Sequence, residues 1–378
     1  MKIIFICGSA EPGKDGVGDY TRRLAAALIQ HGYFVSIIAL YDKSINSNKV
    51  ENQYVDDQFV AVLRLCYHMS HKERLERAKD YIDSINPDWL SLQYVPFSFQ
   101  KKGLAIRLGN DLNKICGARK WHIMLHELWC GMNIKAPLKE RILGYLQRKA
   151  LKIIIQDLKP VSIFTSLLSY QKYLIDININ PLVVPIFGNI RVNQNFSDPQ
   201  YVDFLRDLEI DEIDSSSMHI KIGFFGTIYQ LDGIEELIMN FLKYAEIQNK
   251  KLVLLIIGDG RGPDIKTILN SKNIIYVKTG RLSEFLLDNV LKLVDVGIMT
   301  STSDGLDKSG SAIAFLERAI PVVVAGTDKS YKESMKLNGL YQIKQIEDAA
   351  FVIEKGKLFA PMNRLENAVS RYVNCFKN

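Results

Sequence analysis

The chain has 378 residues, of which 47% are apolar and 24% are charged. This length exceeds one ordinary hydrophobic core and predicts two domains, while the composition is typical of a globular protein and excludes a disordered or fibrous one. The formal net charge of +6 suits an anionic partner such as a phosphate compound, but it is too small to indicate nucleic-acid binding.

The cysteines and the N-terminus bear on the compartment. The five cysteines form no C-x-x-C pair, which excludes a zinc ribbon and argues against a disulfide framework. The opening residues, "MKIIFICGSAEPG", contain an apolar run too short for a signal peptide, and no apolar stretch approaches the length of a membrane span. We therefore expect a cytoplasmic protein.

Short apolar runs alternate with amphipathic segments along the first half of the chain. The runs that we predict to be strands are "IIFIC", "VSIIAL", "WLSLQYV", "HIMLHE", "IFTS" and "LVVPIF". The segments that we predict to be helices are 17–30, 72–84, 103–116 and 138–152. This alternation predicts βαβ units and a parallel sheet.

The same rhythm restarts after a polar, acidic and serine-rich segment. We interpret 191–218 as an interdomain connection between a domain at 1–190 and a domain at 219–378. Strands are predicted at "IKIGFFG", "LVLLIIG", "IIYV", "VDVGIM" and "PVVVAG", and helices at 234–245, 283–293, 311–319 and 365–376. The predicted fold class is α/β, with two facing Rossmann-like domains, parallel sheets and an interdomain cleft. The sequence leaves open whether the last helix packs on the N-terminal domain.

Open parallel sheets bind ligands beyond the carboxyl ends of their strands, so the loops there are the candidate sites. The first such loop, "CGSAEPGKDGVGDYTRRLA", contains Gly16 and Gly18 and opens a helix at Val17, whose free N–H groups favour an anion. A nicotinamide-binding loop would need a further glycine at Thr21, so that function fits poorly. The alternative is a turn that only starts the helix.

His126 and Glu127 follow the apolar strand in "MLHELWCG". A histidine at a strand end can donate a hydrogen bond to a sugar hydroxyl or to a phosphate oxygen, and Glu127 is a further candidate for contact with a sugar. No second histidine lies at ligand spacing, so we do not expect a metal site. The alternative is a histidine with a purely structural role.

Three loops of the second half carry candidate phosphate and base contacts. Gly226 and Thr227 end one strand, and Gly280 and Arg281 end another, where they suit a planar base. The third loop, "TSTSDGLDKSGSAIAF", combines hydroxyl groups with a helix start and one lysine, a combination that predicts an anion site. Its candidate residues are Asp304, Lys308, Ser309, Gly310 and Ser311.

Basic and apolar side chains interleave over 135–152. A basic amphipathic helix of this kind can lie on an anionic membrane surface. The alternative is a surface helix whose apolar stripe packs on the sheet.

With these motifs in place, the sequence resembles a GT-B glycosyltransferase, and more narrowly the retaining glycosyltransferase family 4. The resemblance rests on "GKDGVGDYTRRLAAALIQHGYFVSII", "LQYVPFSF", "LHELW", "GFFGTIYQLDGIEELI", "LLIIGDG", "VDVGIM" and "AIPVVVAG", in this order. It implies transfer of a sugar from a nucleotide-sugar to a glycan or lipid-linked acceptor, in polysaccharide or lipopolysaccharide synthesis. It also implies that the chain needs neither a metal nor a cofactor.

The resemblance assigns roles to the candidate residues. Catalysis falls to His126, which would contact the donor sugar, and to Lys308. The donor-binding residues would be Gly16, Val17, Gly18, Gly226, Thr227, Gly280, Arg281, Asp304, Ser309, Gly310 and Ser311.

Four positions depart from the family pattern. Thr227 and Asp232 stand where the family usually has an arginine and a lysine, and Leu306 and Ala314 stand where it has two glutamates. The alternative functions are therefore a non-catalytic GT-B binding subunit and, third, a sugar-nucleotide epimerase.

Overall fold

The computed structural model describes residues 1–132, 136–192, 199–207, 218–229, 232–267, 274–301, 306, 309–325, 335, 338–361 and 363–377. The chain forms two compact units. The first comprises Met1–Asn189 together with Leu365–Asn378, and the second comprises Ile190–Arg364.

The first unit is built on an eight-stranded sheet in the described part of the chain. Its strands are β1 (Lys2–Cys7), β2 (Phe34–Asp42), β3 (Lys49–Val55), β4 (Gln58–Cys66), β5 (Trp89–Tyr94), β6 (Lys120–Leu125), β7 (Ser162–Thr165) and β8 (Leu182–Val183). Their order is β3-β4-β2-β1-β5-β6-β7-β8, and all pairs are parallel except β3 with β4. The central strands are buried on both faces, and therefore they are continuous apolar runs in the sequence.

The helices of this unit are α1 (Gly16–Gln30), α2 (His71–Ile85), α3 (Pro96–Phe99), α4 (Leu108–Cys116), α5 (Leu138–Leu158) and α6 (Leu168–Ile175). Four of them, α1, α2, α4 and α5, were predicted, although with shifted ends, whereas α3 and α6 were not predicted. The helix predicted from Gly103 begins only at Leu108. Gly103 has a φ of +68°, in the left-handed region, and its N–H donates to the Gln100 carbonyl in a turn.

The second unit has a parallel sheet of its own. The described strands are β9 (His219–Phe225), β10 (Lys251–Ile257), β11 (Ile274–Gly280), β12 (Val296–Met299), β13 (Val322–Val324) and β14 (Leu340–Gln342), in the order β11-β10-β9-β12-β13-β14. The helices are α7 (Pro199–Asp207), α8 (Ile234–Ile247), α9 (Glu284–Lys292), α10 (Gly310–Leu316) and α11 (Ile346–Lys355). Helix α7 lies within the segment 191–218, and its Tyr201 and Leu205 side chains pack in the core of this unit.

In each sheet the chain first adds strands on one side of its first strand and later continues on the other side. In the first sheet this change of side lies between β1 and β5, and in the second between β9 and β12. Loops at the carboxyl ends of such a pair diverge to opposite faces and leave a crevice for a ligand. A candidate residue that binds a ligand is therefore expected near the carboxyl ends of β1 and β5 or of β9 and β12.

The last helix, α12 (Arg364–Lys377), packs on the first unit. The indole N–H of Trp89 donates to the Phe376 carbonyl at 3.0 Å. The rings of Phe164, Tyr372 and Phe376 surround His122 of β6, with ring-centre distances of 4.5, 5.0 and 5.7 Å. Among the helices that the structure describes, none combines the length and the apolar composition that a membrane span requires.

This aromatic environment determines the charge of His122. Burial, and secondarily the neighbouring His126, lowers the pKa of His122 to about 3 from 6.5. The imidazole is therefore neutral in the folded chain, while the unfolded chain protonates it below pH 6.5. The contribution of this group to stability is complete above that pH and is lost as the pH falls towards 3.

We expect the substitution H122N to weaken the pH dependence of the free energy of unfolding between pH 6.5 and 3. In wild type this residue contributes a slope of up to about 1.4 kcal/mol per pH unit, because only the unfolded state binds the proton. Urea unfolding at a series of pH values measures the slope. The exposed His68 provides the matched control H68N, and equal slopes for wild type and H122N would contradict the prediction.

Candidate functional site

The loop between β1 and α1 is shaped by contacts within the chain. The Asp15 carboxylate accepts from the Gly18 N–H at 2.7 Å and caps α1. A Cβ atom at Gly18 would lie 2.5 Å from the Ser9 carbonyl oxygen, so only glycine fits there. Gly16, in contrast, borders open space, with Asn189 Nδ2 the nearest atom at 4.0 Å. Of the two predicted glycines, Gly18 is thus explained by the packing of the loop itself.

A buried ion pair between Asp42 and Arg64 holds this loop in place. The Asp42 carboxylate accepts from Arg64 Nε at 2.7 Å, from the Ser9 hydroxyl at 3.2 Å and from the Ala10 N–H at 3.3 Å. Burial opposes the charge on Asp42, but the Arg64 guanidinium and the backbone N–H groups hold its pKa below the usual value. Arg64 also pairs with Glu11, which belongs to the loop.

A second set of polar contacts links α1 to the same loop. Gln53 Nε2 donates to the Ala10 carbonyl at 3.0 Å, and Arg22 Nε donates to Gln53 Oε1 at 2.6 Å. Arg22 pairs in turn with Asp19 at 3.0 Å, and Asp19 accepts from the Gly13 N–H at 3.0 Å. The conformation of the loop is therefore set by α1 and by strands β2 to β4 together.

His126 lies one residue beyond β6, as predicted, but its ring is buried rather than open to a ligand on all sides. Its Nε2 lies 2.9 Å from Gln93 Oε1 of β5, and its ring meets the Tyr20 ring of α1 edge-on at 4.7 Å. Tyr20 is itself stacked on Phe187 at 4.3 Å. The adjacent Glu127 is exposed. The first unit thus brings His126 together with the helix that follows the glycine loop.

The second unit brings two of the predicted groups together between β9 and β12. A depression at the carboxyl ends of these strands is lined by Phe224, Phe225, Thr227, Ile228, Tyr229, Ile298, Met299, Thr300, Ser301, Ser309 and Ser311. Gly226 has a φ of +81° and borders open space. The chain can therefore turn here, and Thr227 borders the same depression as Ser309 and Ser311.

Tyr229, Thr300 and Ser301 line this depression but were not named as candidate contacts, although Thr300 and Ser301 begin the predicted loop "TSTSDGLDKSGSAIAF". The Tyr229 N–H donates to the Thr300 hydroxyl at 3.1 Å, which ties the loop after β9 to the loop after β12, and Ser301 follows directly. The available signal was the position of Thr300 and Ser301 immediately behind a buried strand. It could be used only with the knowledge that β12 pairs with β9.

The start of α10 differs from the predicted anion site at Ser309. Ser309 was predicted to belong to the anion site, but its N–H donates to the Leu306 carbonyl at 3.0 Å. The Ser309 hydroxyl accepts from the Ala312 N–H at 3.3 Å and lies 3.2 Å from the Ser311 hydroxyl. Ser309 is thus mainly the helix cap, and the N–H groups of Gly310 and Ser311 remain the predicted donors.

The other predicted residues stand apart or fall outside the description. Gly280 ends β11, which is separated from β9 by β10, and Arg281 beside it is exposed. Asp304 and Lys308 lie outside the described residues. Ala314, at one of the two positions of the missing glutamates, is fully buried in the core. Within the described ranges, no three His, Cys, Asp or Glu side chains lie close enough to hold a metal ion.

Comparison with known proteins supports the fold along the whole chain. No family model and no curated protein matches the sequence. Among solved structures, the chain is similar to sucrose-phosphate synthase from Thermosynechococcus elongatus, with a TM-score of 0.57, 14% identity and coverage of 100% of this chain and 95% of that one. It is also similar to starch synthase IV from Arabidopsis thaliana, bound to ADP and acarbose. Here the TM-score is 0.56 and the identity 12%, with coverage of 100% of this chain and 99% of that one.

A third similar structure is an enzyme of another class. UDP-GlcNAc 2-epimerase from Neisseria meningitidis, bound to UDP-GlcNAc, has a TM-score of 0.55 and 13% identity, with coverage of 100% of both chains. These likenesses confirm the predicted fold class, α/β with two Rossmann-like parallel sheets as in GT-B proteins. At such identities they establish the fold alone, since one fold supports several activities.

We expect R64M to lower the free energy of unfolding by about 3–5 kcal/mol, because Asp42 would be left as an uncompensated buried charge beside the loop. Urea unfolding measures this loss. The matched control is K72M, which breaks the exposed Lys72–Glu76 pair and should change stability by about 0.5 kcal/mol or less. A loss in R64M no larger than in the control would show that the buried pair does not hold this part of the fold.

Proposed function

We propose that the chain is a glycosyltransferase that moves a sugar from a nucleotide-sugar to a glycan or lipid-linked acceptor. The observation that carries this proposal is the hydroxyl-lined depression between β9 and β12, in a chain whose whole length is similar to GT-B glycosyltransferases. Hydroxyl and backbone N–H groups at the reversal point of a parallel sheet are suited to the oxygens of a diphosphate.

In this proposal the roles are divided by chemistry. Thr227, Gly310 and Ser311 donate hydrogen bonds to the diphosphate, and Lys308 neutralises the charge that develops on it as it leaves, which is the largest single contribution to such catalysis. His126 orients the donor sugar. Gly280 and Arg281 contact the base. Transfer with retention, independence of metals and a place in polysaccharide or lipopolysaccharide synthesis follow from the resemblance to glycosyltransferase family 4.

The epimerase function is the second candidate, because one of the similar structures is an epimerase bound to its nucleotide-sugar. Such a reaction needs acid and base groups on the two faces of the sugar. Glu127 and Asp304 are the only candidate residues that could supply such groups. We therefore rank this function below sugar transfer.

Nucleotide binding tests the proposed diphosphate site. We expect calorimetry with UDP, GDP, ADP and CMP to show binding of one of them, about fivefold weaker in T227V and tenfold to hundredfold weaker in K308A. These values correspond to about 1 kcal/mol for a neutral hydrogen bond and 1.5–3 kcal/mol for a charge-assisted one. The matched control is K243A, which removes the same charge from an exposed position on α8.

The outcomes separate the candidate functions. With the matching nucleotide-sugar, a transferase releases the nucleoside diphosphate only when an acceptor or water takes the sugar, and K308A lowers this rate by roughly a hundredfold. An epimerase instead converts the sugar without releasing the nucleotide. Failure of all four nucleotides to bind would contradict the proposed donor site and would favour the non-catalytic binding subunit.

We further propose that α5 contacts an anionic membrane surface. One side of this helix packs in the core through residues such as Leu151 and Ile154, while apolar side chains elsewhere on it are exposed, with Leu138 69% and Ile142 54% exposed. Basic side chains accompany them at Lys139, Arg141 and Lys149, which are also exposed. Exposed apolar groups flanked by cations suit a surface of anionic lipid.

We expect L138S/I142S to reduce sedimentation with vesicles of phosphatidylcholine and phosphatidylglycerol by tenfold or more, because each apolar side chain contributes roughly 1.5–3 kcal/mol when buried. The matched control is F59S, which removes an exposed apolar side chain of β4 in the same unit. Vesicles of phosphatidylcholine alone should bind weakly. Equal sedimentation of both variants would contradict a membrane contact through α5.

A further inference from the structure

Four polar side chains form a hydrogen-bonded chain inside the first sheet. Ser91 and Gln93 lie on one face of β5, two residues apart, and His122 is the direct partner of Ser91 on β6. Ser91 Oγ lies 2.8 Å from His122 Nδ1, Gln93 Nε2 donates to Ser91 Oγ at 2.9 Å, and Gln93 Oε1 lies 2.9 Å from His126 Nε2. All four residues are buried.

The orientation of the Gln93 amide determines which ring nitrogen of His126 carries a hydrogen. The Gln93 amide nitrogen donates to Ser91, so the amide oxygen faces His126, and an amide oxygen can only accept. The hydrogen therefore resides on His126 Nε2. The Ser91 oxygen, which accepts from Gln93, also lies 2.8 Å from His122 Nδ1, so the same chain reaches the second imidazole.

The His126 ring is also restrained in its plane. The edge-on contact with Tyr20 and the stacking of Tyr20 on Phe187 limit its rotation. A hydrogen bond at one ring atom and a ring contact together define the orientation of an imidazole, as partners behind a ligating histidine do at metal sites. Gln93 supplies the first of these restraints and Tyr20 the second.

We propose that Gln93 is a positioning residue that holds His126 in the Nε2–H tautomer with a fixed ring orientation. This inference rests on the proposed function in one respect, namely that His126 contacts the donor. A histidine whose ring is held in place before the donor binds needs no reordering when it contacts the sugar.

Nuclear magnetic resonance of the full chain labelled with ¹⁵N-histidine tests the tautomer directly. The chain has only six histidines, so the imidazole spectrum is small, and H126Q identifies the signals of His126. In wild type we expect the ring hydrogen on Nε2, protected from exchange with water. In Q93L, where the side chain cannot accept, we expect exchange at least tenfold faster.

Two further variants separate positioning from general disturbance of the core. Q93E keeps an acceptor opposite His126 and should retain the protected hydrogen. Q147L applies the Q93L change to another buried glutamine and should leave the His126 signal unchanged, because the Gln147 amide accepts from the Cys130 N–H and donates to the Lys102 carbonyl. A hydrogen on Nδ1 in wild type, or equal protection in wild type and Q93L, would overturn the proposal.

Kinetics with the matching nucleotide-sugar provide the second readout. We expect Q93L to lower kcat about tenfold, to leave the Kd of the nucleotide unchanged and to recover in part in Q93E, while Q147L keeps the wild-type kcat. Loss of kcat without this recovery would contradict a positioning role. If the wild-type chain transfers no sugar, the proposed function fails, and the imidazole spectra still decide the role of Gln93.

Discussion

The buried ion pair between Arg64 and Asp42 is the constraint on which the first unit depends. A buried pair adds little net stability, because both charges lose their hydration, but removing either partner leaves a charge that the interior cannot solvate. Asp42 holds Ser9 and Ala10, and the loop that contains them leads directly into α1. Helix α1 carries Tyr20, which contacts His126. The position of the candidate histidine is thus connected to a charge pair near the carboxyl ends of β2 and β4.

The sequence predicted the strands of the two sheets that are buried on both faces. Runs such as that of β10 have no polar residue after their first position, so their burial follows from local pattern alone. Strands β3 and β4 were missed for the opposite reason: β3 is a partly exposed, polar edge strand, and β4 contains Arg64. An arginine in an apolar run argues against burial unless its partner is known. Asp42 lies 22 residues away in the sequence, and local pattern does not reveal such a pairing.

The candidate site was predicted as a set of loops but not as an arrangement. Strand ends identify the loops, whereas only the order of strands in the sheet determines which loops are neighbours. Because β12 pairs with β9, Thr300 joins Thr227, while Gly280 lies two strands from β9. The same limit applies to His126. Its place at a strand end was visible, but its hydrogen bond to Gln93 depends on the register between β5 and β6.

The chemistry of the depression between β9 and β12 sets a condition on any diphosphate that binds there. Among the described residues that line it, the polar groups are hydroxyls and none is charged. Neutral hydrogen bonds contribute only about 0.5–1.5 kcal/mol each, about half the strength of charge-assisted ones. Hydroxyls can therefore orient a diphosphate, but they cannot compensate its charge as it leaves. That compensation requires a cation, and the sequence places Lys308 directly before the cap residue Ser309 of α10. The proposed mechanism thus depends on this lysine more than on any hydroxyl.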